Sequence, residues 1–270
     1  MIRRLGANLG LAIVAAALAL PGLARASNCY AFVEGVPGVR YAALGPLAQG
    51  AEEVVITFVG HSTFRIETPG GVVIATDFYG AGGPGRLPDA VTMNKAHETH
   101  YTNYPDPAIP HVLRGWNPAG GPAEHLVELD DVVIRNVTTD IRGWAAPEKD
   151  GNSIFVFEVA DLCIGHLGHL HHELDEPHYA LLGVLDIVMA PVDGSYTVDI
   201  ATMIRVLQRL KARLVLPMHI FGEYSLARFL DGMKGDFEVT MHGERTIRVS
   251  RDSLPSRPTV MVLPQRFLLE

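Results

Sequence analysis

Seven of the twelve histidines fall in three short clusters. The first, His97-Glu98-Thr99-His100, follows Asp89-Ala-Val-Thr-Met-Asn94. The second, His166-Leu-Gly-His169-Leu-His171-His172, follows Asp161-Leu-Cys-Ile164. The third, His219, closes Arg213-Leu-Val-Leu-Pro-Met218. Each preceding run reads as a buried strand. Strands of one sheet that end at a common edge would gather these side chains at one mouth. Imidazole is the commonest protein ligand for zinc and its neighbours, so metal chemistry is the first expectation. His61, in Gly60-His61-Ser62, either lines such a site or caps a turn. His111, His125, His178 and His242 read as surface residues.

The elements that must position these residues begin after an N-terminal leader. Arg3 and Arg4 precede an apolar run from Leu11 to Leu20, and Ala24-Arg25-Ala26 fits a small-x-small cleavage site. The run is shorter than the roughly 20 residues a spanning helix needs. Residues 1–26 are therefore expected to be a cleaved signal peptide, residues 27–50 a Gly/Pro/Ala-rich lead and residues 51–270 the folded domain, in a periplasmic or secreted protein. Cleavage removes three of the 22 basic residues and none of the 30 acidic ones, moving the formal charge from −8 to −11. So acidic a chain argues against broad nucleic-acid or anionic-membrane binding. Export would permit a disulfide, but Cys163 sits in a strand-like run where a buried thiol is common. The reading favours two unpaired cysteines, Cys29 and Cys163.

Val54–Val59, Thr63–Glu67 and Val72–Thr76 read as a strand meander, with a turn at Pro69-Gly-Gly71. Residues 79–88 are a loop and Asp89–Asn94 another strand. The Pro-, Gly- and Asn-rich stretch 101–123 reads as a surface excursion. Strands are expected at 125–129, 132–137, 153–159 and 162–164. A β-α-β-α pattern follows, with helices over 173–182, 198–210 and 225–233, strands over 185–191 and 214–218, and weaker strands at 246–249 and 260–263. In 198–210 the apolar residues Ile200, Met203, Ile204, Leu207 and Leu210 keep a helical period. Two strand-rich halves with helices imply two sheets packed face to face, helices outside.

Phe58-Val-Gly-His-Ser-Thr-Phe-Arg-Ile-Glu67, followed by Val73-Ile-Ala-Thr-Asp77, resembles the opening of metallo-β-lactamase-fold hydrolases, in particular the ascorbate-phosphate lactonase-like branch. Ile164-Gly-His-Leu-Gly-His169 resembles that branch's H-L-G-D-L-G-H segment, and Asp186–Asp193 and Leu216-Pro-Met-His219 resemble its later strands. The resemblance spans about Val54 to Phe229. It implies an α/β fold, an αββα four-layer sandwich with metal at one edge. It also implies a metal motif H-x-H-x-D-H, which here reads Lys95-Ala-His97-Glu-Thr99-His100. Lysine and threonine replace a histidine and the aspartate, and His166 stands at the bridging aspartate position.

A two-metal site needs a bridging group to hold its cations together, whereas a mononuclear site needs three or four donors. His97, His100, His166, His169 and His219 are the expected ligands, of one zinc or of an altered pair; iron or manganese are alternatives. Lys95 would either stand in for part of a lost cation's charge or simply prevent metal from binding there. Asp77, Asp140 and Asp193 are candidate acceptors for the ligands' second nitrogens, and Asp77 or Asp193 would orient or deprotonate water. With His61 and Lys95, Asp77 completes the expected catalytic set. Arg114, Trp116 and Arg142, with Trp144, are expected to touch a small-molecule substrate, though a packed loop anchor is an equal reading of the Arg/Trp pair. The function expected is exported metal-dependent hydrolysis of an ester, lactone or phosphoester. The alternatives are a non-catalytic metal- or ligand-binding protein on the same scaffold, and an interaction protein without metal.

Overall fold

A computed structural model describes Cys29, residues 52–143 and residues 146–265. The expected signal peptide, the lead apart from Cys29, and Trp144 lie outside the described residues. In chain order the elements are β1 (Val54–Gly60), β2 (Thr63–Glu67), β3 (Val73–Ala75), β4 (Ala90–Met93), β5 (His111–Arg114), β6 (Leu126–Leu129), β7 (Val132–Ile141), β8 (Glu148–Val159) and β9 (Leu162–His166). Then come α1 (Glu176–Leu182), β10 (Ile187–Pro191), α2 (Ile200–Leu210), β11 (Leu214–Met218), α3 (Glu223–Met233), β12 (Glu238–Met241), β13 (Thr246–Val249) and β14 (Thr259–Val262).

The strands form two sheets, ordered β13-β1-β2-β3-β4-β5 and β12-β14-β11-β10-β9-β8-β7-β6. Period-two alternation decides which face each residue takes. Val54, Ile56 and Phe58 of β1 meet Phe155, Phe157 and Val159 of β8, Ile187 and Met189 of β10, and Leu214, Leu216 and Met218 of β11 in the core between the sheets. The alternate residues Ile154, Val156, Val188 and Val215 face the other way, into a second core with Met203, Val206 and Leu207 of α2 and Phe229 and Met233 of α3. α2 is capped by Asp199, whose side chain accepts from the Thr202 N–H. The outer face of the six-stranded sheet is covered by Phe78, Ile109, Tyr101 and Trp116. The face-to-face α/β arrangement expected from the sequence is thus present. Among the described residues, helices cover its eight-stranded side.

Four features depart from the sequence reading. The excursion 101–123 contains β5, paired in parallel with β4 through Ala90↔His111 to Met93↔Arg114; four residues between prolines and glycines give too short a period to read. β8 starts at Glu148, not near 153, because its first turns pair with the end of β7 across a bulge between Thr139 and Ile141. β12 joins β14 in parallel and was not expected. Finally, Cys29 and Cys163 form a disulfide. Cys163 lies on the β9 face away from the inter-sheet core, and the Cys29 carbonyl accepts from the Val184 N–H at 2.7 Å.

Candidate metal centre

The parallel strands β4, β9, β10 and β11 all deliver their carboxyl ends to one edge, the customary place for a site in such sheets. The segments that leave them carry His97 and His100, His169 and His171, Asp193 and Tyr196, and His219. The β1–β2 turn adds His61, whose carbonyl accepts from the His219 N–H at 2.7 Å. His61, Asp77 and His219 all hold left-handed backbones, with φ of 54°, 42° and 56°. Such conformations in non-glycine residues persist where the surroundings enforce them, and they concentrate at functional sites.

Two imidazoles are backed by buried carboxylates. His100 Nδ1 lies 2.5 Å from Asp77 Oδ2, and His219 Nδ1 lies 3.0 Å from Asp193 Oδ1. Asp77 is fully buried, and its other oxygen accepts from Asn94 Nδ2 at 2.8 Å. Burial alone would raise its pKa, but His100 and His166 and the hydrogen bonds from His100 and Asn94 outweigh it and hold it at about 2. Asp193 is likewise pushed up by burial, yet held well below the usual carboxylate range by His219, Thr197 and the Ser195 N–H. Each carboxylate therefore fixes a proton on its histidine's Nδ1, leaving the Nε2 lone pair outward. Those nitrogens, His100 Nε2 and His219 Nε2, are the buried side-chain atoms without a hydrogen-bond partner among the described residues. An unpaired buried acceptor costs about 1–3 kcal/mol, so a pair of them facing one point asks for a cation. Nitrogens of His61, His97, His100 and His219 all lie within 4.8 Å of one another.

The remaining imidazoles form a directional chain. The Arg142 backbone N–H and guanidinium Nε–H point at His171 Nδ1, at 2.9 and 3.3 Å. Neutral His171 therefore carries its hydrogen on Nε2, which meets His169 Nδ1 at 2.5 Å. His169 then carries its own hydrogen on Nε2, which faces His97 Nε2 at 2.9 Å. His97 Nδ1 lies 2.7 Å from the Thr99 hydroxyl, which in turn lies 2.9 Å from His61 Nε2. Read in this direction, the Nε2 lone pairs of His97 and His61 accept from the His169 N–H and the Thr99 O–H, and a metal held at these nitrogens would replace those two bonds. Burial, then mutual repulsion among the imidazoles, lowers His61 to about 3 and His97 to about 4. The same causes depress His169, and burial with the Arg142 charge takes His171 to about 4. All are neutral at pH 7, the form that binds metal.

The structure brings His61, His97, His100, His169 and His219 together with Asp77 behind His100, and gives the other expected site residues different partners. His166 follows the period of Ile164 into the inter-sheet core. Its Nε2 donates to the Ser62 carbonyl at 2.8 Å and its Nδ1 accepts from the Gly168 N–H, so neither nitrogen is available to a metal. Lys95 pairs with Glu148 on the surface and does not occupy a cation position. Asp77 cannot take a proton from water, because both oxygens are occupied and none of it is exposed. Asp140 bonds the Asp150 N–H and Lys149 instead of a ligand. The Arg142 guanidinium is used on the carbonyls of Ser195, Tyr196 and Thr197. Trp116 packs edge-on to Tyr101 and lines a surface groove of about 580 Å³ with Lys95 and Glu148. Arg114 lies in β5 opposite Met93, its carbonyl accepting from His125.

Other residues that organise the site carry no isolated motif. Asn94 joins Asp77 to the Ser153 N–H, and Asn152 receives the His169 N–H at 2.7 Å. Between them Gly168 turns with φ +59°; a Cβ there would sit 2.3 Å from Asn94 Nδ2 and 2.5 Å from Asn152 Oδ1. Only glycine lets the β9 loop pass close enough to aim His169.

The profile of the beta-lactamase superfamily domain matches residues 55–219, from β1 to the last clustered histidine. The chain belongs to the metallo-β-lactamase superfamily. Among solved structures, a candidate zinc-dependent hydrolase of this superfamily from Thermotoga maritima is 24% identical, with a TM-score of 0.59 over 79% of this chain and 100% of that one. A candidate metal-dependent hydrolase from Parabacteroides distasonis is 13% identical, with a TM-score of 0.57 over 80% and 94%. The metallo-β-lactamase fold protein YhfI from Bacillus subtilis is 11% identical, with a TM-score of 0.51 over 79% and 98%. These likenesses concern the fold, and none of the three is described as a lactonase. No curated protein matches the sequence. In this metallo-β-lactamase superfamily member the metal edge of the fold carries imidazoles backed by carboxylates.

Proposed function

We propose that the protein is an exported hydrolase that uses one metal ion, most simply zinc, held by His61, His97, His100 and His219. The observation that carries this reading is the pair of orphaned, carboxylate-backed nitrogens on His100 and His219. Four imidazoles and no thiolate suit zinc, with iron or manganese as alternatives. When bound, the metal polarises the scissile group's oxygen and acidifies a water, by the general chemistry of such ions. The chain's own residues supply the rest. Asp77 and Asp193 fix the tautomers of His100 and His219. The His169 Nε2–H, 2.9 Å from His97 Nε2, would be released when a metal takes that His97 lone pair, and could then steady negative charge that develops on the substrate. Arg142 and His171 hold that N–H in place. The disulfide fits export to an oxidising compartment, and a small-molecule ester or lactone fits a site at a sheet edge.

The reading is tested by stripping metal with a chelator and assaying a carboxylic ester, a lactone and a phosphodiester before and after zinc, iron or manganese is restored. Hydrolysis should vanish on stripping and return on reloading. Activity that survives chelation would refute the mechanism. Metal bound without turnover of any of the three bonds would favour the non-catalytic alternative.

A further inference from the structure

Two aromatic rings border the imidazole cluster and are left largely in solvent. Tyr196, from the segment after β10, is 62% exposed, and Phe221, from the segment after β11, is 52% exposed. Their centroids are 5.3 Å apart, the planes inclined at 60°. Phe221 stands edge-on to His219 at 4.8 Å and lies 5.6 Å from His61, while Tyr196 lies 6.5 Å from His97. The pair therefore contacts three of the four clustered imidazoles.

Neither ring hangs on a loose backbone. The Tyr196 N–H donates to Asp193 at 2.6 Å, and its carbonyl accepts from Arg142 at 2.9 Å. Phe221 is flanked by His219, whose N–H is held by His61, and by Gly222, the N-cap of α3. Aromatic side chains fixed in this way offer contact area at low entropic cost. Two charged groups tied to this segment are already engaged: Arg142 with three carbonyls, and Asp193 with His219, Thr197 and backbone N–H groups. This side of the mouth offers a ligand the exposed rings of Tyr196 and Phe221.

We propose that Tyr196 and Phe221 form a binding subsite for an uncharged aromatic or acyl group attached to the scissile bond. The preferred substrates are then apolar carboxylic esters or lactones, not phosphoesters. This substrate class rests on the hydrolase reading; the subsite itself rests on the ring geometry. The test therefore separates the two. Binding of 2-naphthamide, an uncharged ring, and of inorganic phosphate is titrated against metal-loaded wild-type protein, Tyr196→Ser/Phe221→Ser and Tyr196→Phe. Metal content is measured in each. In parallel, KM and kcat are compared for phenyl acetate and methyl acetate.

The wild type should bind 2-naphthamide more tightly than phosphate. The double variant should lose roughly tenfold in that affinity with its metal content intact, and Tyr196→Phe should keep the wild-type affinity. KM for phenyl acetate should rise by a similar factor in the double variant while that for methyl acetate barely moves. Unchanged naphthamide affinity in the double variant, or tighter binding of phosphate than of naphthamide, would overturn the subsite and leave the hydrolase reading standing. Normal naphthamide binding with no ester turned over would leave the subsite and overturn the hydrolase reading.

Discussion

His219→Asn is expected to abolish stoichiometric metal binding and to lower ester hydrolysis by on the order of a thousandfold, the several kcal/mol of charge stabilisation a catalytic metal supplies. Asparagine is chosen because residue 219 has φ of 56°, a backbone that asparagine tolerates well. The N–H bond to the His61 carbonyl and the end of β11 should then survive, and the loss can be assigned to the imidazole. The neighbouring carboxylate gives a graded comparison. Asp193→Asn still lies beside His219 but has lost the charge and half its acceptor capacity. Loss of such backing costs about 10–100-fold in metal affinity. The order wild type, Asp193→Asn, His219→Asn in metal affinity, measured by competition with a chromogenic chelator, follows directly from the orphaned nitrogens. Equal affinity in all three would mean that the cluster is not where metal binds.

The largest expected effect on stability comes from the disulfide. Cys29 and Cys163 are 134 residues apart in sequence. In the chain-entropy account, closing a loop of that length stabilises the fold by about 5 kcal/mol. Cys29→Ser should therefore lower Tm by roughly 10–20 °C for a domain of this size. Dithiothreitol should do the same to the wild type and nothing to the variant. The bond fastens the segment at Cys29 to β9, the strand that runs into the His169 loop, so the metal site should loosen as well. Thiol titration that finds both cysteines reduced in a protein of unaltered Tm would contradict this.

Much of the architecture was legible from short apolar runs: Val54, Ile56 and Phe58 alternate with less buried residues in β1, whereas β11 is buried at every position and its continuous apolar run announces a strand without telling its faces. β5 was hidden by its length and its proline-rich surroundings. The disulfide was hidden because a cysteine inside a strand reads the same whether paired or free. The histidine clusters pointed to the right edge of the right sheets, but a cluster has no phase. His166 and His169 looked equivalent, although the period of β9 already placed His166 on the face of Ile164, toward the core. Asp77 was legible in two roles, as acceptor for a ligand's second nitrogen and as base for water, and its contacts with His100 and Asn94 leave it the first. Thr99, a departure from the superfamily motif, links His61 to His97. Tyr196 and Phe221 carried no signal, because exposure of a single aromatic cannot be read from a sequence.

The central claim is that four imidazoles hold one metal ion. Elemental mass spectrometry of the protein, purified without a histidine tag, tests it most directly. The account predicts about one zinc, iron or manganese per chain, as a mononuclear site requires. Metal absent even after reconstitution would contradict it, and so would two ions per chain, which would need ligands beyond the four that converge here.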